Sequence, residues 1–331
     1  MAAHPDTPLP FSRRNISMDI RNLGSSGLRV SAVGLGCNNF GVRIDLEASR
    51  KVIHKAIDLG VTLLDTADIY AGRGGSEKVL GEVLGAKRKD IVLATKYSKP
   101  MSDDGTRQGA SRRYMMRAVE DSLTRLKTDY IDLYQQHDYD DLTPIDETLR
   151  ALEDLIRQGK VRYIGCSNFP AWRVSQAQEM AKALGTRSFV SCQDEWSLVY
   201  RDNEKDLLPC TKAYNLGYLP FFPLASGLLT GKYKPGADVD ANTRFAKMPA
   251  LKNRYATPKN EAIVVKLQEF TRARGKTMLE LAMSWLACQP QVSSVIAGAT
   301  SEDQITQNVG AANWKLTPDE LKEIDAITLP A

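Results

Sequence analysis

Four residues of this chain have the types a proton-handling site needs: Asp65, Tyr70, Lys96 and His137. A free tyrosine has a pKa of about 10 and is a poor acid at neutral pH. A nearby ammonium favours the phenolate and lowers that value. A carboxylate paired with the lysine fixes the ammonium and keeps it charged. Asp65, Lys96 and Tyr70 can form that chain, and a tuned phenol suits general-acid catalysis at an oxygen that gains negative charge. A neutral imidazole, His137, can hydrogen-bond the same oxygen and orient it. Such a set polarises a carbonyl and awaits a hydride. Each residue also has a plainer reading. Asp65 can cap the next turn, Tyr70 can pack a loop, Lys96 can be a surface charge, and His137 can sit in an Asp-rich turn. Lys96 also admits a Schiff-base role. Asp68 takes no part in this scheme and reads as loop chemistry.

What unites the four is where they fall. From Arg21 onward, short apolar runs alternate with longer amphipathic segments. "AVGLG" (32–36), "VTLLDT" (61–66), "IVLATK" (91–96) and "YIDLYQQH" (130–137) read as strands. So do "VRYIGCS", "FVSCQ", "YLPFFPLA" and "SSVIAG". Between them, 46–60, 76–85, 111–126 and 144–159 carry helical spacing, with Thr143 as N-cap and Pro144 at the first helical position. Further helices are expected at "AWRVSQAQEMAKALG", "EKDLLPCTKAYNLG", 260–274, 277–289 and "SEDQITQNVGAA". Eight strand-plus-helix units imply a parallel sheet covered on its faces, and at this length a closed (β/α)8 TIM barrel; a doubly wound open sheet is the rival. No Pro/Ser-rich linker divides the chain, so it reads as a single domain over 18–331 behind a flexible tail of residues 1–17. In a barrel, active groups sit at the C-terminal strand ends. Asp65, Lys96 and His137 end the second, third and fourth strands, Ser167 and Asn168 the fifth, and Gln193 the sixth, with Trp196 just beyond. Loops 98–110 and 233–259 are long, polar and suited to binding.

Composition narrows the partners. Net charge is +4 with no concentrated basic patch, so the sequence points to no nucleic acid and no membrane. No apolar run reaches a spanning length. Five cysteines without CxxC spacing and three histidines make a zinc cage improbable; reduced thiols fit a cytoplasmic protein, with no metal. Nothing in the sequence sets an oligomeric state.

The chain resembles the aldo-keto reductases over residues 19–328. The matching motifs are "GLG" (34–36), "DTADIYAGRGGSEKVLGEVL" (65–84), "LATK" (93–96), "DYIDLYQQH" (129–137), "GKVRYIGCSNF" (159–169), "PLASGLLTGKY" (223–233) and "IAGATSEDQITQNVGA" (296–311). It is most similar to the bacterial group related to potassium-channel beta subunits. The resemblance implies a barrel reductase of an aldehyde or ketone substrate that uses NADP(H) without a Rossmann domain, NAD(H) being a weaker alternative. It assigns the tetrad to Asp65, Tyr70, Lys96 and His137, with Tyr70 as proton donor or acceptor. It puts Ser167, Asn168 and Gln193 on the nicotinamide amide and Trp196 against the ring. Phe222, Pro223, Leu224, Ala225 and Gly227 match the pyrophosphate loop, with Lys232 and Arg244 as cationic partners. Cys37, Asn38, Gly298, Thr300, Gln304, Gln307 and Asn308 complete the implied cofactor set. The family often places an arginine near Thr300; this chain does not.

The adenine end also has a reading from the residues themselves. Ser301 and Gln304 have capping-box spacing, and Gln304 and Asn308 lie one helical turn apart. For the substrate, Asn38, Phe40, Tyr97 and Trp196 are candidates from their places after strands. A regulatory protein on the same fold, with slow turnover, is the alternative to an enzyme.

Overall fold

A computed structural model describes residues 18–233 and 244–329. The tail 1–17, residues 234–243 of loop 233–259 and residues 330–331 lie outside them. The described residues form ten strands: β1 Ile20–Asn22, β2 Arg29–Ser31, β3 Val33–Gly36, β4 Leu63–Asp65, β5 Val92–Tyr97, β6 Ile131–Gln136, β7 Val161–Ser167, β8 Ser191–Gln193, β9 Gly217–Tyr218 and β10 Val295–Gly298. The helices are α1 Leu46–Asp58, α2 Tyr70–Leu84, α3 Arg112–Leu126, α4 Ile145–Arg157, α5 Ala171–Leu184, α6 Leu207–Ala213, α7 Arg244–Lys247, α8 Pro249–Tyr255, α9 Pro258–Arg272, α10 Met278–Ala287, α11 Glu302–Ala311 and α12 Pro318–Thr328.

Strands β3 to β10 form one parallel sheet in the order β10-β3-β4-β5-β6-β7-β8-β9. The two ends meet. Tyr218 N–H donates to Gln291 O (2.9 Å), Ser293 N–H to Tyr218 O (3.0 Å) and Ile296 N–H to Pro220 O (3.0 Å). The sheet is therefore a closed (β/α)8 barrel. The expected strand over 218–225 shrinks to Gly217–Tyr218, because Pro220 and Pro223 have no N–H to give a ladder. β1 and β2 pair as an antiparallel hairpin across the N-terminal end. Its Gly24, at φ +57°, comes so close that a Cβ there would lie 2.5 Å from Gly217 N. Only glycine fits that plug.

Side chains alternate along each strand between the barrel interior and the helix layer. Leu63, Val92, Ala94, Leu133 and Ile296 pack together inside. Leu64, Leu93, Tyr97 and Tyr134 join the larger core under the helices. Two steps on from Leu63, Ala94 and Leu133 come Asp65, Lys96 and Gln135, which this period also turns inward; His137 is two further. Helix ends depart from expectation in places. Pro144, not Thr143, is the N-cap of α4, and the Thr143 hydroxyl donates to Asp140 (2.7 Å). The expected irregular loop 233–259 contains α7 and α8.

Candidate active site

Asp65 ends β4 as a junction. Its Oδ2 accepts from Lys96 Nζ at 2.7 Å, and its Oδ1 accepts from Gln135 (3.0 Å) and Gln193 (2.9 Å). Lys96 also donates to Thr66 O at 2.9 Å and is fully buried. Burial opposes its charge, but Asp65 and Tyr70 outweigh that and hold its pKa above the usual range. Tyr70 follows the β4 end by one turn, its N–H donating to Ala67 O (3.2 Å). Its ring centre lies 5.2 Å from the Lys96 nitrogen and 5.7 Å from the His137 ring, edge-on. The Tyr70 phenol is pushed up, not down: burial raises its pKa more than Lys96 lowers it. The sequence-based expectation of a lowered phenol is corrected here, and the group is protonated at neutral pH. Burial, with Lys96 and Lys99 nearby, pushes the His137 imidazole well below the usual histidine range, so it is neutral. Its Nδ1 is buried without a hydrogen-bond partner among the described residues.

A cavity of about 1040 Å³ opens above these groups. Asp65, Tyr70 and His137 line its floor, with Lys96 sealed beneath. Cys37, Asn38, Ser167, Asn168 and Gln193 stand around them on the walls. Asn168, in the left-handed region at φ +56°, ties two strand ends together by donating to His137 O (2.9 Å) and Ser167 Oγ (3.0 Å). The cavity runs on past Phe222, Pro223, Leu224, Gly227 and Lys232 to Gly298, Thr300, Gln304, Gln307 and Asn308. Ser226 lines the same stretch with its buried hydroxyl unpartnered among the described residues, a donor suited to a phosphate oxygen. Ser301 caps α11 as expected, accepting from Gln304 N–H (3.2 Å). The reciprocal half of the box is absent: Gln304 Oε1 accepts instead from the Thr300 N–H (2.8 Å) and hydroxyl (3.0 Å).

Four expected residues are elsewhere. Trp196 packs edge-on against Trp285 (5.2 Å) and Tyr218 (5.6 Å), and its Nε1–H donates to Glu204 (2.8 Å), away from the cavity lining. Tyr97 follows the inward Lys96, so the strand turns it outward, where it stacks on Tyr134 (4.7 Å). Phe40 and Ala225 are fully buried in the outer core. The Arg244 backbone opens α7, and its side chain lies outside the described residues. Phe221, Gln135 and Arg43 are among the lining or supporting residues that the sequence reading did not mark. Phe221 lines the cavity, its N–H donating to Asp194 O (3.1 Å), and was masked by the prolines around it. Gln135 was legible by strand period, two places before His137. Arg43 reaches the rim from the loop after β3, where no pattern marked it.

The model of the Aldo/keto reductase family matches residues 32–329. The chain belongs to that family. Among aldo-keto reductase relatives it is 35% identical over 321 residues to the probable voltage-gated potassium channel subunit beta of Oryza sativa subsp. japonica, covering 94% of this chain and 96% of that protein. It is 33% identical over 318 residues to the L-glyceraldehyde 3-phosphate reductase of Escherichia coli K12, covering 93% and 92%. It is 31% identical over 339 residues to the versiconal hemiacetal acetate reductase of Aspergillus parasiticus, covering 95% and 98%. Among the described residues of this aldo-keto reductase, no His/Cys/Asp/Glu group could hold a metal, and no helix is long and apolar enough to cross a membrane.

Proposed function

We propose that the protein reduces an aldehyde or ketone to the alcohol, reversibly, with NADP(H). The observation that carries this reading is a protonated phenol standing over a buried ammonium–carboxylate pair, beside a neutral imidazole, at the floor of one long cavity. When bound, the dinucleotide supplies the hydride. Tyr70 gives its proton to the carbonyl oxygen as charge builds there. Lys96 then faces a phenolate, which its ammonium stabilises, and Asp65 keeps that ammonium in place. His137 offers a hydrogen bond that orients the carbonyl.

Ser167, Asn168 and Gln193 would hold the nicotinamide amide, with Phe221 taking the stacking role expected of Trp196. Phe222, Pro223, Leu224, Ser226, Gly227 and Lys232 would meet the pyrophosphate, and Thr300, Gln304, Gln307 and Asn308 the adenosine end. NAD(H) is the weaker alternative. A Schiff base on Lys96 is disfavoured, because its nitrogen is sealed and held charged. All five cysteines are free thiols, which supports a cytoplasmic setting.

The test is NADPH consumption over aldehydes, sugars and bulky ketones, repeated with NADH. Tyr70→Phe should lose turnover by about 10²–10⁴-fold while cofactor affinity persists. Carbonyl reduction by Tyr70→Phe at the unmodified rate would overturn the role. The likeness to proteins named as channel beta subunits favours a second reading, a cofactor-sensing binding protein. It predicts tight NADPH binding with slow turnover on every carbonyl.

A further inference from the structure

Asp68 precedes Tyr70 by two residues but turns away from the cavity. Its carboxyl is sealed behind the barrel wall at 1% exposure. Oδ2 lies 3.5 Å from the Tyr114 hydroxyl, the Ile69 backbone N–H also acts on the carboxyl as a donor, and Oδ1 has no hydrogen-bond partner among the described residues. The titratable groups that act on it or feel it are Glu77 of α2, Tyr114 and Arg125 of α3, and Tyr134 of β6. Arg125 is already engaged. Its Nε donates to Glu77 Oε2 (2.6 Å) and its Nη2 to Ser122 Oγ (3.2 Å). The other Glu77 oxygen accepts from the Thr95 hydroxyl (2.6 Å). Two buried carboxyls thus share one guanidinium, and the geometry gives it to Glu77. A second anion beside Glu77, sealed and short of donors, would be strongly disfavoured. Asp68 escapes by keeping its proton: burial and Glu77 push its pKa up to about 8.

The backbone around it is the mounting of Tyr70. Thr66 N–H donates to Ala94 O (2.9 Å) and Asp68 N–H to Lys96 O (3.1 Å), so the segment after β4 is stitched to β5. Lys96 Nζ holds Thr66 O from the other side. One short segment therefore presents Tyr70 to the cavity and Asp68 to the helix layer.

We propose that Asp68, as a neutral acid, is a positioning residue that seats segment 66–70 against β5 and keeps Tyr70 over Lys96, and that its ionisation loosens that seat. The catalytic consequence rests on Tyr70 being the proton donor; the seating itself does not. Tyr70 and Lys96 are both held above their ordinary ranges, so neither accounts for a change below pH 9.

Two measurements on the full chain test this. The first is hydrogen–deuterium exchange of the 66–70 amides at pH 7 and pH 9, corrected for intrinsic exchange. The wild type should lose protection by up to about ten-fold, the change in open population if one group near 8 controls opening. Asp68→Asn keeps the shape without the charge and should lose none. The second is the ratio of kcat at pH 9 to kcat at pH 7. It should fall several-fold in the wild type, stay flat in Asp68→Asn, and leave KM alone in both. Should Asp68→Asn fail to fold, Glu77→Gln decides: it frees Arg125 to pair the ionised Asp68, so the loss of protection at pH 9 should vanish. Asp68→Asn or Glu77→Gln showing the wild-type loss of protection overturns the proposal. A wild type without carbonyl turnover would refute the reductase reading, and the exchange measurement would still decide the seat.

Discussion

Lys96 stays charged in a fully buried place because Asp65 meets it at 2.7 Å, and that charge acts on Tyr70 against the opposing effect of burial. Burial wins, so the phenol arrives as an acid with its proton on. For His137 burial and two ammonium groups act in the same direction. Its ring signals in proton NMR should stay flat from about pH 5.5 to 8; a titration near 6.5 would mean the imidazole is solvated and not held as described. Asp65, Lys96 and His137 were legible as chemistry because acid, base and imidazole each fall at the end of an apolar run. The sign of the Tyr70 shift was not legible, since it depends on how much protein covers the phenol. Trp196 and Phe40 were misplaced for a related reason. Just past a strand end the alternation stops, and only the folded turn fixes which way an aromatic faces.

Between elements, α2 and α3 pack behind the site at a distance only glycine allows. A Cβ on Gly81 would stand 2.2 Å from Arg125 O, which is backbone and cannot swing aside. Gly81→Ala should therefore cost about 1–3 kcal/mol in urea unfolding; an unchanged midpoint would show that the helices part freely. Helices α1, α3 and α5 were readable from their apolar spacing and stop signals to within a few residues. β9 was overread because its apolar residues outvoted Pro220 and Pro223. α12 begins with a full capping box, Thr317 with Glu320, in plain sight. It lies beyond the last strand, where the alternation of strand and helix gives no reason to look.

Across the whole molecule, buried acids set a pH slope, Asp68 and Asp194 foremost. Burial is the main cause for both: Asp68 is pushed up to about 8 and Asp194 to about 6. A raised folded-state pKa gives stability that is present below the unfolded value near 4 and is lost as pH rises through the folded one. Below about pH 6.5 the depressed His137 imidazole adds the opposite slope, because the unfolded histidine takes up a proton that the folded one refuses. Urea midpoints should therefore fall between about pH 6.5 and 8, and Asp68→Asn should flatten that fall; a midpoint that rises across this window would contradict it. The parallel barrel was legible from alternation and its closure from the count of eight units at this length; the bonds that seal it were not, since they depend on Tyr218 meeting Gln291 and Ser293, far along the chain. The Asp65 junction ties that architecture to chemistry. One carboxylate receives donors from β5, β6 and β8, so three staves of the barrel are gripped by a single pair of oxygens. Any substitution that flattens the barrel's cross-section changes the grip on Lys96 first. The titration of Tyr70 is then a strain gauge for the barrel, readable without substrate from its assigned ring-carbon resonance in tyrosine-labelled protein.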